Sequence, residues 1–185
     1  MKVTLLGDSI RQLGYGKSVE ERLTAKGHEV FQPAENCRFA KYTLRMLWDY
    51  KDQMKDSDVV HWNNGLWDVC HLMDPDTFCS VEEYVDTMVR IAKILKARHK
   101  VVIFATTTPV THDHSFNRNE EIDRFNAAVV PKLRELGVII NDLGATISSD
   151  IPKYICDDKI HLSEEGIEVA VRQVTDAILG AMGDN

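Results

Sequence analysis

At 185 residues, with 44% hydrophobic and 28% charged residues, the chain has the size and composition of one globular domain, 1–185, able to bury a core. Its net charge is −7, with acidic and basic residues interspersed, which excludes a basic face for a nucleic-acid backbone and leaves small-molecule substrates open. No apolar run approaches the ~18 residues that a membrane-spanning helix needs.

Strand-like runs alternate with helical spacing along the whole chain. The first run, 3–6, ends abruptly in Gly7, Asp8 and Ser9, and a helical segment follows, closed by Gly27. Runs at 30–32, 59–62, 101–105 and 138–140 are mostly continuously apolar, as parallel strands buried on both faces are. Between them, Val81, Val85, Met88, Ala92 and Leu95 share one helical face, and so do Ile122, Phe125, Val129 and Leu133. Gly137 stands at the end of that second helix. Ile167, Val171, Val174 and Ile178 mark a last helix, which Ser163 is placed to cap. Five rounds of strand and helix predict an α/β protein, a three-layer α/β/α sandwich with a five-stranded, mostly parallel sheet. The longest irregular stretch, 106–118, follows the fourth strand, where such folds keep binding loops.

Two polar stretches carry chemistry. Ser9 falls just beyond the carboxyl end of the first strand, where open α/β sheets bind ligands; capping of the next helix by Asp8 or Ser9 is the plainer account. Near the other end, ICDDKIHLSEEG sets Asp158 three residues before His161. That spacing lets a carboxylate reach imidazole Nδ1 and leaves Nε2 to face a nucleophile, although a lone DxxH also suits an exposed polar loop. A serine hydroxyl needs an adjacent base, itself oriented by a third group. The two stretches together supply all three in the order Ser, Asp, His. The G-x-S-x-G elbow of α/β-hydrolases is absent, because position 11 is Arg.

With Gly7-Asp8-Ser9 after the first strand and Asp158-x-x-His161 before the last helix, the sequence resembles the GDSL or SGNH hydrolases. The resemblance implies a flavodoxin-like α/β/α fold, ester hydrolysis through an acyl-enzyme, and catalytic Ser9, Asp158 and His161. It implies neither metal nor organic cofactor. In the family's second block a glycine N–H helps hold the oxyanion. The corresponding PAENCRFAKYT has no glycine, and Ala40 is its nearest match. The third block, usually G-x-N-D, is altered to HWNNGLWD. Asn63, Gly65 and Asp68 fit an N-x-G-L-x-D variant, so Asn63, ahead of Asn64, is expected to complete an oxyanion hole with the Ser9 and Ala40 N–H groups. Both asparagines also suit a simple chain turn. Asp8, Gly65, Trp67 and Thr108 are further candidates for substrate contact.

Other features have plainer readings. His112 and His114 flank Asp113 but lack a third ligand, so they read as loop histidines. Arg118, Asn119 and Asn126 suit either substrate contact or helix capping. Trp62, Trp67 and His71 suit either a sugar or acyl pocket or core packing. His61 reads as structural within its strand, and His28 and His99 as helix-end cations. Cys37, Cys70, Cys79 and Cys156 have no metal-type spacing and are expected to be reduced thiols. With no n-region or h-region before the first strand, the expected location is cytoplasmic, a removed leader being the alternative. The predicted activity is a serine esterase for short-chain acyl, above all acetyl, esters of a carbohydrate. A flavodoxin-like module holding phosphate or flavin, or an inactive hydrolase fold that binds carbohydrate, are the rivals.

Overall fold

The computed structural model describes residues 1–183. In chain order they form β1 (Lys2–Leu6), a π-helical turn (Ile10–Tyr15), α1 (Gly16–Ala25), β2 (Glu29–Phe31), α2 (Ala40–Asp49), β3 (Val59–Asn63) and α3 (Val81–Lys96). There follow β4 (Val101–Ala105), α4 (Asn119–Glu135), β5 (Ile139–Asn141), α5 (Leu143–Ser148), α6 (Ile151–Tyr154) and α7 (Glu164–Met182). The strands make one sheet in the order β2-β1-β3-β4-β5. All four pairings are parallel, with Val3 opposite Val30 and Val59, and Ile103 opposite Ile139. The α/β architecture expected from the alternating pattern is therefore present, and this strand order is the flavodoxin-like one. Helices α1 and α7 pack together, as do α2, α3 and α4 in succession, and the two groups flank the sheet.

Burial explains the apolar strands. Every residue of β3 is buried, and β1 and β4 are buried beyond their first residue. The edge strands β2 and β5 are only three residues long, which limits the unpaired backbone they offer. Helix α4 buries Ile122, Phe125, Val129 and Leu133, the stripe read from sequence. In α3 the stripe is shifted: Tyr84, Met88, Ile91, Ala92 and Leu95 are buried, while Val81 and Val85 lie at the margin. Gly27 and Gly137 stand just past their helices at φ +85° and +74°, where a Cβ would be strained. Ser163 caps α7 by accepting from the Gly166 N–H. Asp184 and Asn185 lie outside the described residues.

Three expectations are corrected. The longest irregular segment is 64–80, between β3 and α3, rather than 106–118. Its own hydrogen bonds hold it: Asp68 and Val69 N–H donate to Gly65 O, and Phe78 N–H to Cys70 O. Helix α2 begins inside the stretch read as a loop, because the group that caps it comes from elsewhere in the chain. His99 is no helix-end cation: it is buried, its Nδ1 is 3.0 Å from Ser57 O, and desolvation lowers its pKa, which favours the neutral ring.

Candidate active site

β1 delivers Gly7-Asp8-Ser9 to the carboxyl end of the sheet. Gly7 N–H donates to Cys37 Sγ (3.1 Å), and a Cβ at Gly7 would stand 2.0 Å from Asn63 Oδ1, so only glycine fits. Asp8 Oδ1 accepts from Ile10 N–H at 2.9 Å, so the following turn is served by Asp8. Ser9 makes no side-chain cap, and its hydroxyl lies 2.8 Å from His161 Nε2. The capping role offered to Asp8 or Ser9 thus belongs to Asp8.

The other half comes from the segment before α7. Ile155 and Leu162 form an antiparallel bridge, Cys156 N–H donates to His161 O, and Lys159 turns the chain at φ +75°. Within this turn Asp158 Oδ1 accepts from the backbone N–H of Ile160 (3.0 Å) and His161 (2.9 Å), while Oδ2 meets His161 Nδ1 at 2.6 Å. Partial burial raises the Asp158 pKa, but these hydrogen bonds outweigh it and hold the carboxyl well below the usual carboxylate range. An ionised Asp158 accepts only, so Nδ1 carries the proton and Nε2 presents its lone pair to Ser9 Oγ. Lys159 ties the turn to the β4–α4 loop through Asp113, 2.8 Å away.

Around this pair the middle blocks behave differently from expectation. The Ala40 N–H donates to both carboxylate oxygens of Asp68, at 3.0 and 3.1 Å, so it is engaged and the Ala40 donor expectation is corrected. Asp68 thereby caps α2, whose own N-cap residue, Phe39, has no side-chain acceptor. Burial pushes the Asp68 carboxyl up to about 7 against the lowering Ala40 bond. Asn63 is buried beside the Ser9 turn: its Nδ2 donates to Asp8 Oδ1 (2.7 Å), and its Oδ1 accepts from Tyr15 Oη (2.8 Å). Asn64 is directed away into the fold, with Oδ1 accepting from Thr43 and Nδ2 donating to Arg38 O. Asp8 is buried, one carboxylate oxygen lacks a partner, and desolvation pushes its pKa up to about 6.

Ser9 opens onto a cleft of about 200 Å³ walled by Leu66, Trp67, Leu72, Phe116 and Ile160. Its polar lining is His114, whose Nδ1 accepts from Phe116 and Asn117 N–H, and Asn117, whose Nδ2 donates to Leu66 O. Trp67 stands on the rim, 41% exposed. The other contact candidates do not reach the cleft wall. Gly65 is buried at φ +144°, where a Cβ would strike Thr107 Oγ1 at 2.0 Å. Thr108 is buried with its hydroxyl unpartnered, and Thr106 and Thr107 bond to Asp142 and Asn64. Asn119 and Asn126 neither cap α4 nor line this cleft: they bracket the Val110 and Thr107 backbones.

Trp62 is core, its ring tilted against Phe104 at a centroid distance of 5.0 Å, and His71 pairs with Glu121. His61 is buried in β3 with its pKa pushed down to about 3 by desolvation, so it is neutral. All four cysteines are free thiols. Among the described residues no three His, Cys, Asp or Glu side chains cluster as metal ligands.

Two residues at the site escaped the sequence reading. Arg11, 2% exposed, donates to the carbonyls of Pro33 (2.8 Å), Glu35 (2.7 Å) and Gly7 (3.3 Å), tying the loop after β2 to the Ser9 turn. Tyr15 bonds Asn63. A charged Arg11 gives no local sign of burial, yet the π-helical turn directs Arg11 and Tyr15 inward and leaves the apolar Leu13 66% exposed.

No family model and no curated protein sequence matches the chain. Solved structures do. An acetyl xylan esterase, AlAXEase, superposes with a TM-score of 0.80 at 21% identity, over 96% of this chain and 100% of that one. A lipase/acylhydrolase from Enterococcus faecalis gives 0.82 at 17%, over 97% and 95%. An acetylxylan esterase from Geobacillus stearothermophilus gives 0.77 at 18%, over 98% and 94%. Over nearly its whole length, therefore, this chain has the α/β/α fold of those esterases and that acylhydrolase.

Proposed function

We propose that the chain is a GDSL/SGNH-type serine esterase acting on short-chain acyl esters, acetyl esters of a carbohydrate foremost. The observation that carries this reading is the line of contacts Ser9 Oγ–His161 Nε2–Nδ1–Asp158, drawn from opposite ends of the chain. His161 takes the Ser9 proton as Oγ attacks the ester carbonyl, and Asp158 supports the imidazolium. The Ser9 N–H and the Asn63 amide hold the oxyanion, each donor being worth about 3 kcal/mol of barrier. Collapse expels the alcohol, protonated by His161, and leaves acyl-Ser9. Water, deprotonated by the same imidazole, then releases the acid and restores Ser9.

The cleft of about 200 Å³ lies below the ~300–1,000 Å³ of drug-sized sites, which supports a short acyl group. Two of the structurally similar proteins are acetyl xylan esterases, which supports an acetylated sugar. Ser9→Ala is expected to lower p-nitrophenyl acetate turnover by about 10⁴-fold or more and to abolish labelling by a fluorophosphonate. Full activity in that variant would remove the assignment. A wild-type protein that fluorophosphonate does not label would favour an inactive binding domain.

A further inference from the structure

We infer that Tyr15 is a positioning residue, holding the Asn63 side-chain amide in the orientation that presents its NH₂ group to the oxyanion. The inference rests on the esterase reading above and concerns a residue outside its catalytic set. Tyr15 is fully buried, its ring edge-on to His61 at 5.7 Å, and its hydroxyl donates to Asn63 Oδ1 at 2.8 Å. On the opposite side of the same amide, Nδ2 donates to Asp8 Oδ1 at 2.7 Å. A carboxylate accepts only, so the amide turned over would set its carbonyl oxygen against the Asp8 oxygen. The two buried partners therefore select one orientation, which leaves the amide's second N–H uncommitted, and this is the N–H that the inference assigns to the oxyanion.

An amide selected in advance has no reorganisation to make as negative charge develops, which is the condition under which an oxyanion donor is most effective. The placement of Tyr15 comes from the π-helical turn, where Gly14 leaves helical geometry (φ −102°, ψ −106°) immediately before it. Such local departures from α-helical pitch recur at functional sites. Gly7 completes the arrangement, because any side chain there would displace Asn63 Oδ1.

The test is a double-mutant cycle on p-nitrophenyl acetate with Tyr15→Phe, Asn63→Ala and both together. Tyr15→Phe keeps the ring and its contact with His61. It is expected to lower kcat about tenfold, the equivalent of one hydrogen bond of about 1.4 kcal/mol, with KM within about twofold. In the Asn63→Ala background the same change is expected to cost less than about twofold, because Tyr15 acts through Asn63. Equal losses in both backgrounds, or a kcat for Tyr15→Phe within twofold of wild type, would overturn the inference. A second readout is independent of turnover and serves if Asn63→Ala does not fold. Hydrogen exchange of the Asn63 side-chain amide, followed by NMR, is expected to quicken about tenfold in Tyr15→Phe, and unchanged exchange also overturns it. A wild-type protein that neither turns over ester nor labels with fluorophosphonate defeats the esterase reading instead, while the exchange measurement still reports on Tyr15.

Discussion

In the proposed esterase, much of the function rests on one carboxylate, Asp158, placed by its own turn. Its two backbone N–H bonds and its contact with Nδ1 hold it ionised, and an ionised group at Nδ1 leaves Nε2 unprotonated toward Ser9. Asp158→Asn keeps the shape but replaces one accepting oxygen with an NH₂ group, which favours the wrong tautomer of His161. The expected outcome is a fall in kcat of about 10³- to 10⁴-fold with little change in melting temperature. Steady-state kinetics beside a thermal melt check this, and a loss of less than tenfold would mean that the carboxylate has no part in orienting the imidazole.

At the scale of elements, the site depends on two segments whose hydrogen bonds come from far away in the chain. Helix α2 starts on the Asp68 carboxylate, 28 residues further on, and the loop after β2 hangs on Arg11. The Asp68 arrangement has a consequence for stability. Burial raises its carboxyl from 3.8 to about 7, so the folded protein keeps a proton that the unfolded chain gives up above about pH 4. Stability from this group is therefore complete below about pH 4 and is lost as pH rises through 7, by on the order of a few kcal/mol.

Asp68→Asn, which keeps an acceptor for the Ala40 N–H and cannot ionise, is expected to gain stability relative to wild type between pH 5 and pH 8. Urea midpoints at the two values measure it. A difference between the proteins that does not change with pH would show that the carboxylate is not desolvated as described.

For the whole molecule, the decisive geometry is closure: Ser9 and His161 are 152 residues apart and meet because β1 lies inside the sheet, between β2 and β3, with α7 packed on α1. Each half of the pair is held by local turns, but their contact has no local source. Reactivity of Ser9 toward fluorophosphonate is thus expected to disappear in urea at the same midpoint as the change in tryptophan fluorescence, since Trp62 lies in the core of β3. Labelling that fails at clearly lower urea would show that the site opens before the sheet does.

The sequence by itself determined the parts governed by near neighbours. Apolar runs buried on both faces announce parallel strands, the stripe of α4 follows from its 3.6-residue period, and Gly27, Gly137 and Ser163 end or begin helices by local backbone chemistry. Ser9, Asp158 and His161 were legible as candidates for the same reason, since each sits in a short turn next to a strand or helix end, and the structure brings the three into contact. What only the tertiary structure decided is which partner each polar group takes. Ala40 spends its N–H on Asp68, Thr108 and Asn64 are buried, Arg11 and Tyr15 face inward, and Asn63 is gripped between Tyr15 and Asp8. Those choices hang on distances between segments tens of residues apart, and a hydrogen bond is set by where two groups arrive in space, which no local pattern encodes.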